Sequence, residues 1–163
     1  MKNKSVLYHP TAYHEAGHVV MAYLLGIRIK RASIISGKDY VGIVHHEKIV
    51  RGEYAENDNS LRNRNRMEKS VLISLAGDIA QKHHAPRSLG GASDDHDKAS
   101  DLALMVNSSS ESANASLNWL TIRATDVLKL RWPMVDAVAR ELVKQKELGR
   151  EQIQALLWRA MWK

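Results

Sequence analysis

The segment Tyr13-His14-Glu15-Ala16-Gly17-His18-Val19-Val20 constrains this chain more than any other stretch. It carries a His-Glu-x-x-His pattern inside a run that reads as one helix. Residues four apart lie on the same helical face. His14 and His18 can therefore aim two imidazoles at one metal ion, with Glu15 flanking the same spot. Two histidine ligands beside a carboxylate base are the arrangement of zinc hydrolases. So short a pattern is not a site by itself. The rest of the chain must supply a third ligand, a place for substrate and a core.

At 163 residues, the expectation is one domain over 1–163, with 1–10 as a short polar lead. Cysteine is absent, so disulfides and thiolate metal sites are excluded, and a metal must be held by histidines and carboxylates. Phenylalanine is absent as well, which leaves Leu, Ile, Val, Met, four Trp and five Tyr to fill the core. The net charge of +6 raises nucleic acid or an anionic membrane as partners. Arg62, Arg64 and Arg66 are spaced by two and do not share a helix face, and no basic-aromatic platform accompanies them. Nucleic acid is therefore not the expected partner. No apolar run approaches the roughly 20 residues of a membrane span, and the lead lacks the apolar centre of a signal peptide. The expectation is a soluble, cytoplasmic protein without a membrane span.

Along the chain, the first helix is expected from about Thr11 to Leu25, stopped by Gly26. Its apolar cover on more than one side predicts burial. Gly17 in its middle costs about 1 kcal/mol relative to alanine and would let another backbone pack close. The segment Ile27–Ile35 reads as a strand and Tyr40–His46 as its hairpin partner, with turn residues between them. Gly42 within the second strand suggests a bulge or a close approach. Residues 51–60 read as a polar loop. Met67, Val71, Leu75 and Ile79 recur every four residues and predict a helix over about 61–83. A helix follows the acidic cluster Asp94-Asp95-His96-Asp97, and Asn107–Asn114 reads as a loop. Further helices contain Leu117–Leu128, begin near Pro133, and span about Ile153–Ala160, with a break at Leu148-Gly149-Arg150. The fold class is mainly α: a single helical domain with a small β-hairpin, its edge strand beside the histidine helix.

The third ligand is not fixed by spacing. A metzincin would need glycine where Met21 stands and histidine where Leu24 stands, so that class is excluded. Glu47, Glu53 and Glu56 fall in strand or loop, so a helical glutamate of the thermolysin kind is not evident. Asp94, Asp95, His96 and Asp97 remain, and their ordinary role would be compensation of the helix dipole. His9, His45, His46, His83 and His84 read as surface or structural residues. Tyr13 and His96 are candidates for stabilising an oxyanion. Asp94 and Asp97 are candidates for outer partners of the histidines.

The motif Tyr13-His14-Glu15-Ala16-Gly17-His18 resembles the zinc motif in the peptidase domain of FtsH, the membrane-bound AAA+ protease family. The likeness continues in order. Ala32–Gly37 and Val41-Gly42-Ile43-Val44 are similar to that family's hairpin and the strand after it. Leu75-Ala76-Gly77 matches a Leu-Ala/Gly-Gly helix, and Gly91-Ala92-Ser93-Asp94-Asp95 resembles its Gly-Ala-Ser-x-Asp segment. The likeness covers residues 8–107 and, more loosely, 130–155. It departs at Ser36, where the family has Pro-Arg, at Gln81, near a common glutamate, and after Val106, where a glycine is missing.

The resemblance implies that Asp95 is the third ligand, so that His14, His18 and Asp95 hold one Zn²⁺ ion with Glu15 as the catalytic base. It implies an edge strand at Val41, Gly42, Ile43 and Val44 that pairs with substrate backbone. It further implies a metalloendopeptidase acting on peptides or unfolded protein, as a stand-alone domain without the family's ATPase and transmembrane segments. A separate ATPase or delivery partner and a homo-oligomer are the accompanying expectations. The competing expectation is a zinc-binding adaptor of peptidase fold with weak or no catalysis, against which an intact Glu15 argues.

Overall fold

A computed structural model of the chain describes residues 4–37, 42–49, 60–88 and 93–162. Among these, the elements run α1 (Lys4–Leu24), β1 (Ile29–Ser33), β2 (Ile43–His46), α2 (Leu61–His84), α3 (Ser93–Val106), α4 (Ser110–Leu130), α5 (Trp132–Gln145), β3 (Glu147–Gly149) and α6 (Arg150–Met161). The fold is mainly helical with one small antiparallel sheet, as the sequence predicts. No helix among the described residues is long and apolar enough to cross a membrane.

The centre is α1, packed between α2 and α5. Ala12, Ala16, Val19, Val20 and Ala22 are fully buried on it. The predicted glycine stop holds: Gly26 has φ of 74°, its N–H donates to the Tyr23 carbonyl, and the N–H of Ile27 donates to that of Ala22. Those two bonds are the Schellman closure, which glycine adopts without Cβ strain. The helix starts earlier than expected. It runs through Pro10, which removes one backbone donor and leaves the rest of the ladder in place.

Gly17 explains the α1–α2 crossing. A Cβ there would run into the Ala76 carbonyl oxygen and stand 2.8 Å from the Ala80 Cβ. The close approach expected of Gly17 is therefore made by α2. That helix begins as predicted and is capped by Ser60, whose side chain accepts from the N–H of Asn63.

The sheet order is β2-β1-β3, with both pairings antiparallel. The expected hairpin is present and shorter, pairing Ala32 with Val44 and Ser33 with Ile43. A register shift between Ile29 and Arg31 breaks the simple alternation. Val41 lies outside the described residues, as do Lys38, Asp39 and Tyr40 before it and the expected loop up to Asn59. The third strand was missed. Residues that read as a break form β3, where Leu148 pairs with Ala32 and both are fully buried. The chain reaches that edge through Lys146 at φ of 68°, whose carbonyl accepts from Ile34. The Asn107–Asn114 loop is also corrected: α4 begins at Ser110. Ser109 and Ser112 bond reciprocally in a capping box, so the polar composition marks a helix start.

Candidate metal centre

The site is built where α1 crosses α2 and the first turn of α3 meets both. His14 and His18 lie one turn apart on α1, with rings at 80° to one another. Their Nε2 atoms are 3.1 Å apart. Asp95 Oδ2 lies 3.1 Å from the first and 3.2 Å from the second. Asp95 is 81 residues from His14 in sequence, so the fold alone brings it there.

These three atoms form a group that could hold a metal ion, the one such group found among the described residues. The donor set is two imidazole nitrogens and one carboxylate oxygen, ligand types that divalent metals such as zinc accept. Ligands about 2.0–2.1 Å from a tetrahedral ion stand roughly 3.3–3.4 Å apart. The observed triangle is within a few tenths of an ångström of that. The same triangle makes a poor hydrogen-bond array, since two ring nitrogens face one another over one carboxylate oxygen.

α2 shapes the cradle. His18 Nδ1 donates to the Ile73 carbonyl at 2.7 Å, which puts that ring's hydrogen on Nδ1 and turns the Nε2 lone pair toward the group. One turn on is Gly77. A Cβ there would collide with His18 Nε2 and stand 2.7 Å from His14 Nε2. Any side chain at position 77 would thus occupy the space among the ligands. His14 Nδ1 is buried, with no hydrogen-bond partner among the described residues.

Glu15, next to His14 on α1, is buried and lies close enough to His14 and Asp95 to feel their charges. A Cβ on Gly42 would stand 2.5 Å from Glu15 Oε1. The backbone just before β2 therefore lies directly on this carboxylate. Burial pushes Glu15 up to about 7, with the His14 charge working against the rise and Asp95 adding to it. Burial also acts to raise Asp95, but the hydrogen bonds and charges of His14 and His18 outweigh it and hold Asp95 well below the usual carboxylate range.

Of the predicted site residues, the structure brings together His14, Glu15, His18, Asp95 and Gly42. Ile43 and Val44 follow in β2, which is an edge of the sheet among the described residues. The two candidates for oxyanion stabilisation are placed elsewhere. The Tyr13 hydroxyl donates to Asp136 Oδ1 at 2.5 Å, and its ring stacks on His84 at 3.6 Å between centroids. Burial first, then the hydrogen bond to Asp136 and its charge, push Tyr13 up to about 12. His96 Nε2 faces Asp78 Oδ2. The outer partner of His18 is the Ile73 backbone, where Asp94 or Asp97 had been the expectation. No side-chain pattern could announce a carbonyl. Gly77 had a visible signal, a glycine within a strongly periodic helix.

No family model matches this chain, and no curated protein sequence matches it.

Proposed function

We infer that the protein is a zinc-dependent metalloendopeptidase acting on peptides or unfolded segments. The observation that carries this reading is the convergence of His14 Nε2, His18 Nε2 and Asp95 Oδ2 within 3.2 Å, next to the buried carboxylate of Glu15. A zinc ion so held polarises a carbonyl as a Lewis acid and lowers the pKa of a bound water to about 7.

The chain's own residues supply the rest. Glu15 accepts a proton from the attacking water and delivers it to the leaving amine nitrogen. Burial raises the proton affinity of Glu15, which favours its service as a general base. Gly42 lets the backbone pass over Glu15 without a side chain between them. The edge of β2, unpaired among the described residues, offers main-chain donors and acceptors to an extended peptide, which gives affinity with little sequence demand. An extended substrate must already be unfolded or be delivered by a partner such as a separate ATPase. The resemblance to FtsH peptidase domains supports the same reading.

The test is cleavage of a panel of unfolded proteins and quenched peptides, with and without a chelator. Cleavage is expected to vanish on metal removal and to return with stoichiometric zinc. Bound zinc with no cleavage across the panel would instead support an adaptor of peptidase fold.

A further inference from the structure

One polar contact ties the helix that carries Asp95 to the helix that walls the histidines. Asp78 follows Gly77 on α2, and His96 follows Asp95 on α3. Asp78 Oδ2 receives Lys82 Nζ at 2.7 Å and His96 Nε2 at 3.4 Å. The Asp78 side chain is 11% exposed, and a carboxylate so placed depends on such partners for its solvation. Lys82 lies on the same helix as Asp78, whereas His96 reaches it from α3.

Further along α3 the contacts with the core are apolar. Its fully buried apolar residues are Ala99 and Ala103, while Leu104 and Met105 are 51% and 46% exposed. Leu102 is partly buried and packs against the core as well. The far end of α3 is tied separately, by Arg64 Nη2 donating to the Val106 carbonyl at 2.7 Å.

We propose that Asp78 and His96 are positioning residues for Asp95. By holding the first turn of α3 to α2, the pair keeps the Asp95 carboxylate within reach of His14 and His18 and thereby sets metal affinity. This rests on the reading of His14, His18 and Asp95 as metal ligands. Groups bonded directly to metal ligands govern about 10- to 100-fold in affinity, and a pair one residue removed should act at the lower end of that range.

The experiment is zinc competition against a chromophoric chelator for the full chain and its variants. The His96 side chain is 52% exposed, so His96→Ala is expected to fold. His96→Ala and Asp78→Asn should each raise the zinc Kd about 10-fold, and the double variant should do little more than the stronger single. Arg64→Ala removes the other tie and should leave the Kd within about twofold, whatever it does to thermal stability. With cobalt(II) as the probe, the visible spectrum of His96→Ala should move toward that of Asp95→Ala. A wild-type Kd and cobalt spectrum in His96→Ala would overturn the proposal, as would an equal loss of affinity in Arg64→Ala. Absence of zinc binding by the wild type, or a wild-type Kd in Asp95→Ala, would overturn the ligand reading itself and the clamp with it.

Discussion

The two sides of the candidate metal centre are built differently. The histidine side belongs to the core. α1 is buried among α2 and α5, the ligand side chains are 8% and 11% exposed, and the Ile73 carbonyl fixes one ring. The aspartate side rides on a half-exposed helix that buries two alanines, and the Asp95 side chain is 28% exposed. Close packing leaves the histidines few alternatives. The aspartate depends on polar ties, so the histidine side should govern whether a site exists and the aspartate side how tightly it binds.

The strongest way to break that contrast is Gly77→Ala. The added methyl enters the space between the two Nε2 atoms. Helix propensity returns up to about 1 kcal/mol, which offsets part of an overpacking cost of about 1–3 kcal/mol. The expected outcome is a folded protein without stoichiometric zinc, read by metal analysis beside circular dichroism.

A second test uses pH on metal-free protein. Glu15 titrates near 7 in the fold and at its ordinary 4.5 when unfolded, so the folded state binds its proton more tightly. The resulting stability is complete below about pH 4.5 and is lost as pH rises through 7, amounting to about 3 kcal/mol. Glu15→Gln removes this loss. Its stability relative to wild type should therefore rise by about that amount between pH 4 and pH 8 in urea denaturation. Asp95 slopes the other way, because its depressed ionisation contributes stability that is lost as pH falls. It is common to both proteins and cancels in the difference.

Gly42→Ala sharpens the comparison by moving the base while sparing the ligands. The methyl would stand 2.5 Å from Glu15 Oε1, and a displacement of about 1 Å can cost on the order of 100-fold in rate. We expect kcat for peptide cleavage to fall by that order with zinc content unchanged. The smallest effect is expected far from the site. Ser109→Ala removes the α4 cap, at about 1 kcal/mol by thermal denaturation, and leaves zinc affinity untouched.

The same division governs what could be read from the sequence. His14 and His18 are legible because a helix makes spacing four into proximity. Asp95 is not, because its position depends on α2 and α3 meeting; on spacing alone it was one of four neighbours, and a resemblance singled it out. Helix existence was legible wherever apolar periodicity ran long, as in α2. β3 was not, because three residues with one buried leucine carry no period. The start of α4 was misjudged because serines cap helices as readily as they fill loops. The carbonyl of Ile73 leaves no trace in any side-chain pattern.

The central claim is that Glu15 acts on a water beside a zinc ion that it does not itself hold. Zinc content and cleavage of an unfolded substrate, measured on one preparation of Glu15→Gln beside wild type, test it most directly. Both proteins should carry about one zinc per chain, with cleavage lost by about 100-fold or more in the variant. Cleavage retained by zinc-loaded Glu15→Gln would contradict that claim.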